Sequence, residues 1–228
     1  MKKIVLGVKI DDISKTEATE IIARFLASKE DAFGKGKYYI VTPNPEIIVA
    51  AQEDPVLKQI LNQADLAIPD GIGLKLVGVN NRISGIDFML SLVKLAANNG
   101  YSVGFVGGKG DVAQETANVL LKAYPTLHVT FFSEDLRSKV SKTDILFVGL
   151  GHGKQEKWIK QNLDQIPVKI AMVVGGSFDM ISGKVRRAPQ VVRNIGLEWL
   201  FRLIIQPWRI KRQFALIKYL WLLFSPLQ

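Results

Sequence analysis

The sequence contains no cysteine, and this absence removes several kinds of chemistry at once. A chain without thiols forms no disulfide, binds no metal through thiolates and uses no cysteine nucleophile. Histidine is also scarce, with 2 in 228 residues. No uncharged run approaches the ~20 residues that a membrane-spanning helix needs. The first twelve residues are basic, but Lys9 and Asp11 interrupt their apolar stretch, which predicts a strand instead of a signal peptide and hence a cytoplasmic protein.

Several catalytic and nucleotide-binding motifs are absent as well. The chain has no Asp-x-Asp pair that would hold a divalent ion against a diphosphate, and no Gly-x-x-x-x-Gly-Lys-Ser/Thr loop. It also lacks the Gly-x-Ser-x-Gly elbow and the His-Glu-x-x-His helix. We therefore expect no metal site and no cofactor, so that arginines and helix N-termini must neutralise any bound diphosphate. The candidate arginines are Arg82 in the body and Arg202, Arg209 and Arg212 near the C-terminus.

Positive charge is concentrated at the C-terminal end of the chain. The formal net charge is +9, and residues 184–228 hold nine lysines and arginines against one acid, Glu198. The same stretch contains three of the four tryptophans and ends in the apolar run 214–224. Cations interleaved with tryptophan and aliphatic side chains favour the interface of an anionic membrane. We predict a body at residues 1–190 and a helical, membrane-associating appendage at 191–228, with the protein on the inner face of the plasma membrane.

Short β-rich runs alternate with amphipathic helical patterns along the body. Strands are predicted at 4–10, 38–42, 66–68, 102–106, 128–132, 145–150 and 170–174, and helices between them at 14–28, 46–63, 84–98, 112–124 and 154–163. The runs beginning at Ile145 and Ile170 are apolar on both faces, which is typical of strands covered by helices on both sides. The alternation predicts an α/β fold with a doubly wound, mostly parallel, Rossmann-like sheet. Two further helices are predicted at 188–204 and 207–224.

Polar or glycine-rich loops follow five of the predicted strands. In an open parallel sheet the carboxyl ends of the strands share one edge, and ligands bind outside that edge. The fold therefore gathers these separate loops into one region. They are found at residues 42–46, 69–73, 107–110, 149–156 and 175–179.

The first of these loops contains Thr42 and Asn44. Pro43 and Pro45 fix the backbone on both sides of Asn44, so the loop is a rigid bracket that could present a hydroxyl and an amide to a polar substrate. A second interpretation needs no ligand. In it, Asn44 caps a helix whose first residue is Pro45.

In the next loop, Asp70 follows the short predicted strand and precedes Gly71. A carboxylate held there, with glycine allowing close approach of the backbone, suits a general base acting on a substrate hydroxyl. Such a base contributes roughly 10²–10⁴-fold in rate. Alternatively, Asp70 is a turn residue that caps the following helix.

A glycine pattern, Gly108-x-Gly110-x-x-Ala113, follows a strand and opens a helix. Together with Gly107 before it and Glu134 near the end of the next strand, it matches the spacing of dinucleotide sites. Backbone N–H groups at such a helix start can hold a diphosphate. The pattern is compatible with NAD, with a nucleotide sugar, and with tight packing of strand on helix.

Two more glycine turns lead into helices. Gly151 precedes a helix whose first turn contains Gln155, which could reach a ligand, whereas His152 is interpreted as a solvent-facing turn residue. Asp179 in the last turn suits the hydroxyls of a ribose or a sugar, although it could equally cap a helix. The candidates from that last turn are Gly175, Gly176, Ser177 and Asp179.

Taken in order, these motifs resemble the WecG/TagA/CpsF family of glycosyltransferases, glycosyltransferase family 26. As a set they cover residues 1 to about 212 and are far more specific than the glycine pattern at Gly108. The segments that carry the resemblance are Thr42-Pro-Asn, Pro69-Asp-Gly, Arg82-x-x-Gly85, Gly149-x-Gly-x-x-Lys-Gln-Glu-Lys-Trp158, Val174-Gly-Gly-Ser-Phe-Asp179, Gly196-Leu-Glu-Trp-Leu-x-Arg202 and Pro207-Trp-Arg209.

The resemblance implies an inverting, metal-independent transfer of a sugar such as N-acetylmannosamine from a UDP-sugar. It implies a polyprenyl-diphosphate-linked sugar as the acceptor, and a product used for teichoic acid or another surface polysaccharide. Asp70 would be the catalytic base and Asp179 would hold the nucleoside. The implied pocket residues around the donor are Thr42, Asn44, Arg82 and Gln155, and the residues that would close over the site at the membrane are Arg202, Arg209 and Arg212.

Other functions stay open on the residues alone. An NAD-dependent oxidoreductase would use the glycine pattern and Glu134, but it would leave the Asp70 loop and the basic end without a role. A nucleic-acid binder would use the basic end, yet leucine and isoleucine dominate between its charges, so we expect no nucleic acid as a partner. The appendage could also be a helical pair packed on the core with solvated charges. Assembly into a homo-oligomer is compatible with the sequence.

Overall fold

The computed structural model describes residues 1–28, 36–134 and 139–225. Within them the strands are β1 Lys2–Val5, β2 Val8–Asp11, β3 Tyr38–Val41, β4 Leu66–Ala67, β5 Ser102–Gly107, β6 His128–Ser133, β7 Thr143–Gly149 and β8 Val168–Val173. The helices are α1 Lys15–Ala27, α2 Pro45–Glu53, α3 Pro55–Gln63, α4 Gly85–Asn99, α5 Val112–Ala123, α6 Lys154–Asn162, α7 Ser177–Ile181, α8 Gln190–Asn194, α9 Glu198–Ile205 and α10 Ile210–Phe224. Short 3₁₀ turns cover Ile72–Val77 and Pro207–Arg209.

The centre of the described chain is a six-stranded sheet with the order β4-β3-β8-β7-β5-β6. Every neighbouring pair in it is parallel. This confirms the predicted α/β fold and its parallel, Rossmann-like sheet. The chain proceeds from β3 to β4 at one edge of the sheet and from β5 to β6 at the other edge, so the direction of strand addition reverses. Open α/β sheets bind ligands at such a switch point.

Both faces of the sheet are covered, as the apolar strands β7 and β8 predict. Phe147 and Val148 are neighbours on β7, point to opposite faces and are both fully buried. The core on the Phe147 face includes side chains from α1, α4, α5 and α7. The core on the Val148 face includes side chains from α2, α3, α6 and α10. Two layers of helices therefore hold the carboxyl edge of the sheet in a fixed frame.

The predicted strand at 4–10 is wrong, because that segment is the antiparallel hairpin β1–β2. Leu6 and Gly7 form its turn with positive φ angles of 48° and 76°. Two successive positive φ values are typical of the tight turns that match the twist of a hairpin. The turn lacks the Asn-Gly or Asp-Gly pair that marks such turns in a sequence, so the apolar pattern alone predicts one strand.

The predicted helix at 46–63 is likewise two helices, α2 and α3. Asp54 separates them, and its side chain accepts a hydrogen bond from the backbone N–H of Leu57 at 2.9 Å. Pro55 then begins α3, where its missing N–H costs nothing. The predicted start of α1 is confirmed: Ser14 and Glu17 form a reciprocal capping box.

The C-terminal segment is helical, but the predicted helix 188–204 is interrupted at Gly196, whose φ of +80° ends α8 before α9 begins. The following helix, α10, packs on α2 and buries Tyr219, which is 1% exposed. Among the described residues no helix combines the length and the apolarity needed to cross a bilayer. The division into a body at 1–190 and an appendage at 191–228 stays a prediction.

Candidate active site

The loops after β3, β4, β5, β7 and β8 all leave the same edge of the sheet, because the strands are parallel. The five loops singled out in the sequence are these loops, with the last one continuing into the short helix α7. The structure therefore brings the candidate segments to one side of the molecule. Their individual contacts decide what each candidate can do.

Asp70 lies next to Thr42 at the start of α4. Its backbone N–H donates to the carbonyl of Pro43 at 2.9 Å, and its Oδ2 accepts from the N–H of Gly85 at 3.3 Å. A Cβ atom on Gly85 would lie 3.4 Å from Asp70 Oδ2 and 3.5 Å from Thr42 Cγ2. Glycine at this position therefore lets the helix, the hydroxyl residue and the carboxylate meet at one point.

The carboxyl group of Asp70 has an unusual proton affinity. Its pKa is raised to about 6, mainly by burial and also by the negative charge of Glu198 on α9, against the opposing effects of the Gly85 N–H and Arg82. The carboxylate is thus ionised at neutral pH, but it is more basic than a solvated aspartate. These are the properties that a general base for a hydroxyl group requires.

Asn44 has a structural task, as one of its two interpretations predicts. Its Oδ1 accepts a hydrogen bond from the N–H of Ile47 at 3.0 Å, and Pro45 occupies the first position of α2. The side chain lies close to the Asp70 loop, since a Cβ on Gly71 would lie 3.7 Å from Asn44 Cβ. The loops after β3 and β4 are joined by the bond from the Asp70 N–H to the Pro43 carbonyl.

Arg82 links the body to the C-terminal helices. Its Nη2 donates to the carbonyl of Arg193 at 2.7 Å, and its Nη1 lies 3.2 Å from the position that a Cβ on Gly196 would occupy. The charge of Arg82 also lowers the pKa of Asp70. The guanidinium is therefore close to the candidate base and in contact with the turn between α8 and α9.

The segment before Arg82 is fixed by Asp12, a residue that the sequence interpretation missed. Its buried carboxylate accepts hydrogen bonds from the backbone N–H groups of Asn80 and Asn81 and from Asn81 Nδ2, at 2.8–3.0 Å. Burial opposes the charged form, but these bonds hold the pKa of Asp12 well below its usual range. The β1–β2 hairpin thus anchors the loop that carries Arg82.

Gln155 connects the loops after β7 and β8. Its Oε1 accepts from the N–H of Gly175 at 3.0 Å, and its Nε2 donates to Glu156 Oε1 at 2.9 Å. Glu156, also missed from the sequence, is 1% exposed, and burial raises its pKa. The pair places the backbone turn at Gly175, while Gly151 adopts the positive φ of 82° needed to begin the β7 loop.

The loop after β8 meets a side chain from α9. A Cβ on Gly176 would lie 3.1 Å from Arg202 Nη2 and 3.5 Å from Asp179 Oδ2, so glycine leaves room for an arginine beside a carboxylate. Ser177 is turned away from this contact, since its buried hydroxyl donates to the carbonyl of Val174 at 2.6 Å. The part of this loop that can face a ligand therefore consists of Gly176 and Asp179, with Arg202 beside them from α9.

Gly107 and Gly108, at the end of β5, serve packing. A Cβ on Gly107 would lie 2.5 Å from the carbonyl oxygen of Gly149 on the neighbouring strand, and one on Gly108 would lie 2.9 Å from Val112 Cβ. The N–H of Gly110 donates to the carboxylate of Glu134. The amide that a dinucleotide fingerprint would offer to a phosphate is thus bonded to a side chain of the protein itself.

Three arginines from the C-terminal helices lie near one another. The pKa of Arg209 is lowered to about 10, mainly by burial and to a lesser extent by the charges of Arg202 and Arg212. Arg202 is affected in the same direction, with burial as the main cause. Guanidinium groups gathered in this way have the chemistry to bind an anion such as a diphosphate.

Two further residues of this region were missed or misinterpreted. Glu46, in the first turn of α2, lies 3.8 Å from Arg212 and 3.5 Å from His152 Nδ1. The expectation that His152 faces solvent is therefore wrong, because it is half-buried against Glu46. These contacts join segments far apart in the chain, and no local pattern in the sequence reveals them.

No cluster of three or more histidine and acidic side chains suited to a metal occurs within residues 1–28, 36–134 and 139–225.

Comparison with known proteins gives a consistent result along almost the whole chain. Residues 3–227 match the profile of the glycosyl transferase WecG/TagA/CpsF family. The chain is 33% identical to a protein of Bacillus spizizenii over 91% of its own length and 86% of the relative's, and 31% identical to one of Staphylococcus aureus over the same shares. A Bacillus subtilis protein is 33% identical over 79% and 76%. Each of the three is named N-acetylglucosaminyldiphosphoundecaprenol N-acetyl-beta-D-mannosaminyltransferase. The chain belongs to the WecG/TagA/CpsF family of glycosyl transferases.

Proposed function

We propose that the protein transfers N-acetylmannosamine from UDP-N-acetylmannosamine to a GlcNAc unit carried on a polyprenyl diphosphate. The named activity of three relatives supports the sugar and the acceptor. The observation that carries the proposal is Asp70, a carboxylate with a pKa raised to about 6, which lies beside Thr42 at the ligand-binding edge of the sheet. The oxidoreductase alternative has no comparable support, because Gly107 and Gly108 are explained by packing and the Gly110 amide is bonded to Glu134.

In the proposed reaction Asp70 accepts the proton of the acceptor hydroxyl. The hydroxyl oxygen then forms a bond to C1 of the donor sugar, while the bond from C1 to the diphosphate oxygen breaks and UDP leaves with the electron pair. Attack from the face opposite to UDP inverts the configuration at C1. A base with a pKa near the working pH is effective in both holding and releasing this proton.

The negative charge that develops on the leaving diphosphate needs a partner. Arg202, Arg209 and Arg212 form a cluster at the edge of the sheet, and Arg82 lies near Asp70. Preorganised guanidinium groups can stabilise a departing diphosphate in the way a divalent ion does in other enzymes. We therefore propose that transfer needs no metal. We propose that Asp179, which lies near Gly176 as Arg202 does, accepts hydrogen bonds from the nucleoside.

The acceptor's polyprenyl chain would lie in a membrane, and the C-terminal helices have a surface suited to one. Trp208 is 71% exposed, and the other exposed apolar side chains of this region include Ile204, Phe214, Ile217, Trp221 and Phe224. Exposed tryptophan and aliphatic groups between cations bind the interface of anionic bilayers. We propose that this surface docks on the inner leaflet. Co-sedimentation with anionic vesicles but not with duplex DNA tests this.

The function is tested with purified protein, a short-chain lipid-diphospho-GlcNAc and a panel of UDP-sugars, with release of UDP as the readout. We expect release with UDP-N-acetylmannosamine, unchanged by EDTA, and its loss in Asp70→Asn with nearly intact affinity for UDP by calorimetry. Asp144→Asn is the matched control, because Asp144 lies at the opposite edge of the sheet, where it accepts from Ser102 and pairs with Lys169. Turnover retained in Asp70→Asn would remove Asp70 from the role of base.

A further inference from the structure

Glu46 is a half-buried acid whose contacts go beyond its own helix. It lies in the first turn of α2, directly after the Asn44 cap, where a negative charge is favourable for any helix. Its carboxylate, however, faces two groups from other parts of the chain. Oε2 lies 3.5 Å from His152 Nδ1 in the β7 loop and 3.8 Å from Arg212 Nη1 in α10.

The charge of Glu46 is maintained by these neighbours. Burial would raise the pKa of Glu46, but the hydrogen bond from His152 and the charges of Arg212 and Arg209 lower it. The same carboxylate favours the charged forms of Arg202 and Arg209. Glu46 is therefore one of the negative charges within the arginine cluster, together with Asp179 and Glu198.

Such a charge is needed because the arginines repel one another. The pKa of Arg209 is lowered to about 10, first by burial and then by the charges of Arg202 and Arg212, whereas Glu46 and Asp179 act in the opposite direction. Acidic groups of the protein therefore offset part of this repulsion when no anion is bound. In the part of the chain that the structure describes, the buried Nε of Arg202 has no hydrogen-bond partner, so the cluster also retains an unpaired donor.

We propose that Glu46 is a positioning residue for diphosphate recognition, holding the appendage's arginines at the carboxyl edge of the sheet before substrate binds. The proposal rests on the proposed function, since it concerns the diphosphate of that reaction. Glu46 itself contacts no reacting atom. It acts through Arg212 and, by charge, through Arg202 and Arg209, so that an arriving diphosphate meets an assembled set of donors.

The chain offers a matched control on the same pair of helices. Glu53 also lies on α2 and also pairs with a cation of α10, Lys218. The side chain of Glu53 is 70% exposed, and its contact lies at the far end of α2 from the sheet edge. Glu53→Gln therefore removes one ion pair between α2 and α10 without touching the arginine cluster.

The test compares KM and kcat for Glu46→Gln and Glu53→Gln, varying donor and acceptor in turn. For Glu46→Gln we expect KM for the diphosphate substrate held by the arginines to rise about tenfold with kcat changed less, as expected for the loss of one partly buried charge contact. Glu53→Gln should stay within about twofold, since exposed pairs contribute little. Glu46→Asp, which keeps the charge, should recover part of the loss. A rise confined to the lipid acceptor assigns the arginines to the acceptor diphosphate, and a rise confined to the UDP-sugar assigns them to the donor; either supports the proposal.

Calorimetry with pyrophosphate and with UDP gives a measurement that does not depend on turnover. Weaker binding of either probe by Glu46→Gln than by Glu53→Gln supports the proposal even if no acceptor is used, so failure of the proposed function can be distinguished from failure of this inference. Tighter binding by Glu46→Gln would show that Glu46 competes with the anion and would overturn it. Equal constants for the two variants in both assays would overturn it as well.

Discussion

Two glycine-rich turns leave the same edge of the sheet, but the space left by their missing side chains is filled by different groups. The β5 turn, residues 107–110, makes room for its own surroundings: Gly108 accommodates Val112 and Gly107 accommodates the backbone of Gly149. The β8 turn, residues 175–179, makes room at Gly176 for Arg202, which comes from a different helix. In this sheet, the β8 turn is therefore the one of the two whose missing side chain makes room for a charged group from a different helix.

The two turns also differ in electrostatics. The amide at Gly110 in the β5 turn is bonded to the carboxylate of Glu134. The β8 turn belongs to a region in which Asp70, Arg202 and Arg209 all have shifted pKa values. Perturbed groups gathered in one place are typical of functional sites. The following predictions test whether activity depends on the β8 side of the edge and stability on the β5 side.

The largest effect is expected from Asp70→Asn. Loss of the base should reduce turnover by roughly 10²–10⁴-fold. The wild-type value of kcat/KM should fall about tenfold per pH unit below about pH 6, where Asp70 becomes protonated. A pH–rate profile measures this, and an acidic limb near pH 4 instead would assign the base to another carboxyl group.

The same substitution should stabilise the fold. Because the pKa of Asp70 in the folded protein is about 6, above the unfolded value, ionisation destabilises the folded state as pH rises through 6. Asn removes this cost, so we expect a gain of about 1–3 kcal/mol at pH 8 that disappears towards pH 4. Thermal unfolding at both pH values is the measurement. A loss of stability at pH 8 would contradict the assigned pKa.

A smaller effect on activity is expected from Gly176→Ala in the β8 turn. The added Cβ would lie 3.1 Å from Arg202 Nη2, and the flexible guanidinium can move away from it. Transfer should therefore weaken about fivefold, while the free energy of unfolding changes by no more than about 0.5 kcal/mol. Kinetics with UDP-sugar and a melting curve give the two numbers. An unchanged KM for both substrates would mean that Arg202 does not act through this contact.

The corresponding substitution in the β5 turn is Gly108→Ala, which should lower the free energy of unfolding. The residue has a φ of +80°, and a Cβ there would lie 2.9 Å from Val112 Cβ. A left-handed conformation costs a side-chain-bearing residue about 1–2 kcal/mol, and the close contact adds to this. We expect a loss of about 2–3 kcal/mol, seen as a lower Tm, with unchanged KM in the folded enzyme. A selective rise in KM for the UDP-sugar would place the donor at this turn.

The smallest effect is expected from Glu134→Gln. The amide oxygen of glutamine can still accept the hydrogen bond from Gly110, and the side chain lies at the surface. Stability should change by less than about 0.5 kcal/mol, and the affinity for UDP should stay the same. Calorimetry with UDP, and with NAD as a second ligand, checks this.

The sequence was sufficient for the parallel sheet and for the convergence of its loops, because alternating patterns and the geometry of parallel strands determine both. It also identified Thr42, Asp70 and Gly176 as neighbours of this edge. The contacts of Glu46 with Arg212, and of Asp12 with Asn80 and Asn81, were not predictable. They depend on the packing of elements distant in the chain, and no short-range spacing encodes such contacts.

Local structure could be predicted where a residue has one dominant preference. Ser14 with Glu17 correctly marks the start of α1. Asp54 and Pro55 are also typical of a helix start, but the apolar pattern over residues 46–63 alone predicts one continuous helix. The turn at Leu6 carried no usual signal, since leucine rarely adopts a positive φ. Such a conformation is stable only because the paired strands on both sides impose it.

Helix α10 has two unlike sides, and this sets a geometric limit on the proposed contact with lipid. Tyr219 is held beneath α2, so the inward half of the helix is committed to protein while Phe214 and Trp221 face outward. Only that outer half can enter a leaflet, to a depth of roughly half of a ~10 Å helix diameter. In the proposed contact, the packing of Tyr219 would thereby limit how deeply α10 can enter the leaflet.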